Sequence, residues 1–190
     1  MTQIIEFETE RLRLRQWLST DREAFAALNA DSRVMEFLLP LSTATESDAL
    51  MNKIQALIAA RGWGFWALEE RATGAFIGFT GLHIPMAELP FSPCVEIGWR
   101  LAFAHWGKGY ATEAAAGALA FGFEHLRLSE IVAFTALPNL RSQAVMQRLA
   151  MEREPATFAH PAVPDGSLIK EHYLYRIKRN AWLRSNNRAQ

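Results

Sequence analysis

Residues 95–114 read Val-Glu-Ile-Gly-Trp-Arg-Leu-Ala-Phe-Ala-His-Trp-Gly-Lys-Gly-Tyr-Ala-Thr-Glu-Ala, and the chemistry they suit is the holding of an anion. A strand-like run ends, a short loop carries Gly107 and Gly109, and an alanine-rich helical run begins. Glycines at such a turn let successive backbone N–H groups crowd round one charge, and the helix N-terminus adds its partial positive charge. A phosphate or pyrophosphate is the natural occupant; the plainer alternative is a glycine-rich turn with no ligand. Two familiar phosphate loops fail the spacing. A P-loop needs a glycine five residues before Gly107 and a Ser or Thr after Lys108, where the chain has Ala102 and Gly109. A dinucleotide fingerprint needs a third glycine at position 112, which is Thr, and an acid after the next strand, where Thr135-Ala136 supplies none. The histidines, His83, His105, His125, His160 and His172, have no metal-ligand spacing, so no metal is expected.

The elements that must position this loop follow from periodicity. Glu10 to Trp17 alternates strictly, with Leu12 and Leu14 on one face of a half-buried strand. Thr20-Asp-Arg-Glu23 and Thr45-Glu-Ser-Asp48 read as capping boxes. The second opens a helical pattern through Leu50, Ile54, Leu57 and Ile58 to a stop at Gly62. Between them the loop Asp31 to Leu41 is unusually apolar, as expected of a segment packed over something else, a substrate being one candidate. Trp63 to Glu69 and Ala75 to His83 flank a Thr73-Gly74 turn and read as a hairpin. Pro85 to Pro93 is a loop. A strand from Cys94 to Ala102, a helix from Gly109 to about His125, a strand from Ile131 to Thr135 and a helix from Asn139 to Met151 follow. A Pro-punctuated loop then leads to a last strand, Ile169 to Ile177. The order predicts a mixed α/β sheet in a single domain, residues 1–190, with a flexible basic tail over 180–190.

The chain has 190 residues, half of them hydrophobic and 21% charged, enough for a sizeable core. Twenty Lys and Arg balance twenty Asp and Glu, so no overall charge draws it to nucleic acid or an anionic membrane. The longest apolar run, Ala114 to Phe123, is too short to span a bilayer, and the N-terminus carries acid where a secretory signal carries base. A soluble, cytoplasmic protein is expected. The single Cys94 forms no internal disulfide. One local bias remains: Arg176, Lys178, Arg179, Arg184 and Arg188 run to the end without an acid. Such a tail reads either as an RNA contact or as a solvated end offsetting Glu6, Glu8 and Glu10.

The loop Trp106-Gly-Lys-Gly109-Tyr-Ala111 resembles the core motif of the GNAT superfamily of acetyl-CoA-dependent N-acetyltransferases, with Trp in place of Gln or Arg. The longer wording, preceded by Val-Glu-Ile-Gly-Trp, is similar to the branch of ribosomal-protein-alanine N-acetyltransferases (RimJ/RimL type). Glu8-Thr-Glu-Arg-Leu-Arg-Leu14, Asn139-Leu-Arg-Ser142 with Leu149-Ala-Met151, and His172-Tyr-Leu-Tyr-Arg resemble further segments of that branch. The resemblance covers nearly the whole chain. It implies a mostly antiparallel mixed sheet of about seven strands, with two central strands splaying apart where acetyl-CoA enters.

The same resemblance implies roles. Backbone N–H groups of Gly107, Lys108, Gly109, Tyr110, Ala111 and Thr112 would hold the CoA pyrophosphate. The strand end Trp99 to Phe103, including Leu101 and Ala102, would pair with the pantetheine arm, a backbone N–H near Leu101 polarising the thioester carbonyl. Asn139 would bond the pantetheine end. Glu96 occupies a frequent base position, against the alternative of a carboxylate satisfied by its neighbours. The tyrosine that often serves as acid is replaced by Met146, so Ser142 inherits the proton-donor role, against the alternative of a helix-end hydroxyl. Tyr173 and Tyr175 are weaker candidates. Cys94 is expected to be a small buried hydrophobe, and Trp63, Trp66 and Trp99 mostly core. The implied acceptor is a primary amine, of a protein N-terminus or a small molecule, bound by a monomer or homodimer. A non-catalytic acyl-CoA-binding sensor is the reading from a different class.

Overall fold

The computed structural model describes residues 2–41 and 43–186. They form two compact units, Met1–Leu82 with Gly98–Gly117, and His83–Ile97 with Ala118–Gln190. No helix among the described residues is long and apolar enough to cross a membrane.

In the first unit, strands β1 (Phe7–Glu8), β2 (Leu12–Arg15), β3 (Phe65–Glu70) and β4 (Ala75–His83) pair antiparallel in sequence order. The alternation of β2 sets its register: Leu14 stands opposite Leu68, and both, like Leu12, are fully buried. Helices α1 (Arg22–Ala30), α2 (Ser32–Met35) and α3 (Ala44–Arg61) follow, α1 burying Phe25 and α3 burying Met51 and Ile58. α2 occupies part of the expected loop Asp31 to Leu41 and buries Val34. α3 stops at Gly62, as its sequence predicts.

Both capping boxes differ from the expectation. α3 is capped two residues earlier, by Thr43 and Glu46: Glu46 N–H donates to Thr43 Oγ1 at 3.1 Å and Thr43 N–H to Glu46 Oε2 at 2.9 Å. α1 has no side-chain cap at all, because Asp21 is committed elsewhere. Arg15, itself buried, donates to Asp21 at 2.7 and 2.9 Å and to Glu69 at 2.6 Å, and Leu18 N–H also reaches Asp21. A buried guanidinium with two carboxylates outweighs one exposed helix cap.

Strand β5 (Glu96–Leu101) and helix α4 (Tyr110–Glu124) contribute residues to both units. On the β4 side, Ala102 N–H donates to Ile77 O at 2.9 Å and Thr80 Oγ1 to Gly98 O at 2.8 Å. The two backbones meet closely enough that a Cβ at Gly78 would lie 2.2 Å from Arg100 O. Only glycine fits there.

In the second unit, the start of β5 runs parallel to β6 (Glu130–Ala136), with Glu96 opposite Val132. β6 pairs antiparallel with β8 (Glu171–Lys178), and β8 with β7 (Glu152–Ala159). The described residues therefore form eight strands. β7 lies where the sequence predicts a Pro-punctuated loop. Its residues are mostly exposed and carry no alternation, and Pro155 sits where the register shifts between Arg153 and Thr157. α5 (Leu140–Arg148) completes the strand–helix alternation. The last helix, α6 (Arg179–Asn186), corrects the expected flexible tail: Trp182 is buried against Phe123, ring centroids 5.3 Å apart. Residues 187–190 of that tail lie outside the described residues.

α5 ends in a Schellman turn, with Met151 N–H on Met146 O and Ala150 N–H on Gln147 O, both at 3.0 Å. The turn requires a left-handed residue, and Ala150 supplies it at φ 56°. Ala150→Gly is therefore expected to stabilise the protein by about 1 kcal/mol. Thermal melting should show a rise of about 2–4 °C; an unchanged or lowered midpoint would mean the turn carries no strain.

Candidate active site

The glycine turn is held open by groups from distant parts of the first unit. Gly107 and Gly109 adopt φ 73° and 82°, which turn the chain sharply between the strand end and α4. Glu113 N–H is the first in α4 to bond backwards, to Gly109 O at 3.0 Å. Among the described residues, the N–H groups of Gly107 through Thr112 therefore meet no acceptor of the chain. A side chain at Gly107 would meet nothing within 4 Å, so the cradle is unobstructed on that side.

Three contacts fix this geometry. The Glu113 carboxylate accepts from Thr9 Oγ1 at 2.6 Å, Arg11 N–H at 2.7 Å and Arg11 Nε at 2.6 Å. Arg11 Nη1 donates to Lys108 O at 2.9 Å, and its guanidinium lies 4.6 Å above the Tyr110 ring. The Tyr110 hydroxyl donates to Glu70, a bond that holds the Glu70 carboxyl below its usual range. Tyr110 thus serves the loop as an anchor, with its side chain turned to the β3–β4 hairpin. The sequence reading missed Arg11, Glu113 and Glu70, whose partners lie too far along the chain for spacing to reveal.

Trp106 explains its own presence in the motif: its indole N–H donates to Leu101 O at 2.8 Å, pinning the loop to the end of β5. Its ring also packs against Phe103, centroids 5.1 Å apart, and the Arg33 guanidinium lies 3.7 Å from the centroid of that same Phe103 ring. Since Ala102 N–H faces β4, strand alternation turns the Leu101 N–H away from β4. Trp99 is half-buried, Lys108 is exposed, and Ala111 and Thr112 form the first turn of α4.

In the second unit, Glu96 has no hydrogen bond or ion pair among the described residues, and burial pushes its carboxyl up to about 8. Burial, with the nearby Glu96 charge adding to it, also raises the Cys94 thiol, which argues against a reactive thiolate. Asn139 caps α5: its Oδ1 accepts from Ser142 N–H at 3.2 Å, and its Nδ2 donates to Thr135 Oγ1 at 2.9 Å and Ser142 Oγ at 3.1 Å. Ser142 Oγ therefore receives a bond, and its own proton meets no acceptor among the described residues. Tyr175 is buried, its hydroxyl directed at Gln143. A groove of about 1210 Å³ in this unit, bordered by Arg127, Glu152, Arg176 and Arg184, includes none of these residues.

Residues 11–152 match the family described as Acetyltransferase (GNAT) domain. The chain belongs to that family and is an N-acetyltransferase, of a class that uses acetyl-CoA. Among its relatives is the uncharacterized N-acetyltransferase YnaD of Bacillus subtilis, 31% identical over 92% of this chain and 97% of its own length. FsC-acetyl coenzyme A-N(2)-transacetylase of Aspergillus fumigatus is 30% identical, over 93% of this chain and 77% of its own. A GNAT-family acetyltransferase from Bacillus anthracis has the same fold, with a TM-score of 0.76 and 26% identity over 93% of this chain and 99% of its own. The architecture is the GNAT α/β fold with eight strands.

The state of Glu96 has a measurable consequence for stability. Its folded value of about 8 lies above the ordinary 4.5, so the folded state favours the protonated acid. That contribution is full below the ordinary value and is lost as pH rises through about 8. Glu96→Gln should match the parent near pH 4 and melt progressively higher than it as pH rises to about 9. Parallel melting curves at all pH values would show that Glu96 is well solvated.

Proposed function

We propose that the chain transfers the acetyl group of acetyl-CoA to a primary amine by direct attack within a ternary complex. The observation that carries this reading is the run of N–H groups from Gly107 to Thr112, kept free of the chain's own acceptors. It fits a pyrophosphate, and the N–H of Leu101, turned away from β4, suits the thioester carbonyl. Trp99 to Phe103 would offer its remaining backbone groups to the pantetheine arm, with Asn139 bordering its far end. Acetyl-CoA supplies an activated acyl group, so two protons are the protein's concern. The incoming amine must lose one, and the departing sulfur must gain one.

Glu96 takes the first, directly or through a water. Its desolvated carboxyl, without a hydrogen-bond or ion-pair partner among the described residues, is a strong enough base to accept a proton from an ammonium near neutral pH. Ser142 gives the second, its hydroxyl oriented by Asn139. On the acceptor, the motif's likeness to ribosomal-protein-alanine N-acetyltransferases supports a protein N-terminal amine. Ribosomal-protein-S5-alanine acetyltransferase of Vibrio fischeri shares the fold at TM-score 0.73 but only 18% identity, over 94% of this chain and 98% of its own. That identity speaks for the fold alone, so small amines are to be tested alongside peptides.

Calorimetric titration should show acetyl-CoA binding selectively over NADH and ATP. Arg11→Ala should weaken that binding about tenfold, since it frees Glu113 and releases Lys108 O; equal affinity would remove the clamp from the account. With an amine that is turned over, kcat/KM should rise through an inflection near pH 8 that stays in place when the acceptor's own pKa changes. Glu96→Gln should abolish the inflection and lower kcat by about 10²–10⁴-fold. Binding of acetyl-CoA with no turnover on any peptide or small amine would instead establish a sensor module.

A further inference from the structure

The first unit contains one buried arginine, Arg15, and one half-buried arginine whose Nε is cut off from solvent, Arg100, and the fold treats them in opposite ways. Arg15 is surrounded by Asp21 and Glu69 at 2.6–2.9 Å. Arg100, on β5 beside Leu101, has no carboxylate at ion-pair distance among the described residues. Its Nη1 donates to Asn29 Oδ1 at 2.7 Å, and Asn29 Nδ2 donates onward to Ser47 Oγ at 2.8 Å. Both relays are neutral and buried, Asn29 at 3% and Ser47 at 1% exposure. Its Nε is buried with no partner, and the guanidinium centre lies 5.3 Å from the Phe79 ring.

The guanidinium is thus fixed by one corner and left without a counter-charge. A guanidinium binds a carboxylate best through two parallel N–H groups, and the Nε/Nη2 edge is the one the protein leaves uncommitted. The anchor, Asn29, lies in the last turn of α1, two residues before the apolar segment Asp31 to Leu41. Removing water from such a cation is costly unless an anion joins it.

We propose that Arg100 recognises the acceptor, pairing through its free edge with a carboxylate that the amine substrate carries. This rests on the acetyl-transfer reading above and narrows its acceptor to amines bearing an acidic group. Arg100 is then a specificity residue: it touches the acceptor away from the reacting nitrogen, and its contribution falls on acceptor binding.

The test uses matched amines that differ only in the acid: glycine and glycinamide, β-alanine and β-alaninamide, γ-aminobutyrate and its amide. These vary the distance between nitrogen and carboxylate. With acetyl-CoA saturating, the best-spaced acid should exceed its amide in kcat/KM by about 10–100-fold. Arg100→Gln should erase that ratio through the KM of the acid, with its fold checked separately by far-ultraviolet circular dichroism and a cooperative melting transition. Arg100→Lys, which keeps the charge without the fork, should retain part of the preference. A second arm needs no turnover: at fixed ionic strength and with CoA present, the acids should raise the melting temperature of the parent protein, the amides should not, and Arg100→Gln should lose the shift. Equal behaviour of acids and amides in the parent, or a preference that survives Arg100→Gln, overturns the proposal. Failure to bind acetyl-CoA at all would sink the acetyl-transfer reading instead, and the melting arm would still decide Arg100.

Discussion

The contact between Arg11 and Glu113 decides whether the N–H groups of the glycine turn stay free of the chain's own carboxylate. An acid in the first turn of a helix ordinarily satisfies that helix's own N–H groups or repels an incoming anion. Glu113 does neither, because its carboxylate is drawn sideways to Thr9 and to two nitrogens of Arg11. The same arginine neutralises it and ties down Lys108 O. One side chain from the β1–β2 turn therefore removes the competitor, cancels its charge and fixes the loop's path. Tyr110 and Trp106 complete the arrangement from either side, one bonded to Glu70 and the other to Leu101 O. The glycines permit the turn, and these anchors keep it.

Much of this architecture was legible in the chain, because its strongest local signals coincide with buried faces. The Leu12/Leu14 alternation, the stop at Gly62, the Thr73-Gly74 turn and the strand–glycine–helix sequence all appear where periodicity put them. The failures share a physical cause. β7 is exposed and bulged at Pro155, so it lacks the burial that gives a strand its pattern. The α1 cap was misread because Asp21 answers to Arg15, six residues away in sequence but buried beside it. α6 was masked by its basic composition, although Trp182 alone gives it a reason to fold back. Site residues followed the same division. The glycine turn is a local signal and is legible in the sequence, whereas the contacts of Arg11, Glu70 and Asn29 join distant stretches of chain and leave no local pattern.

Asn139 has a structural duty that the motif alone does not reveal: it caps α5. The resemblance assigned it to the pantetheine end, but its amide is spent within the turn, on Thr135, Ser142 Oγ and Ser142 N–H. That use is compatible with a positioning part. A serine whose oxygen already accepts one bond has its proton directed elsewhere, which is what a donor to a departing sulfur needs. The asparagine and serine of this segment are thus best understood as one unit, a cap whose by-product is an oriented hydroxyl.

Burial acts on two ionisable groups of β5 with different results, and the difference is chemical. Glu96 escapes the cost of an unpaired buried charge by taking up a proton, its carboxyl rising to about 8. It becomes a titratable group poised near the working range of a base. Arg100 cannot take that route: burial lowers it only to about 10, so the cation persists at any physiological pH. A protein that could have placed an acid beside it, as it does for Arg15, has placed an asparagine there. Asparagine orients a guanidinium without neutralising it. The charge so preserved gains its full stabilisation only when an anion arrives from outside the chain, which makes binding selective for the substrate that brings one.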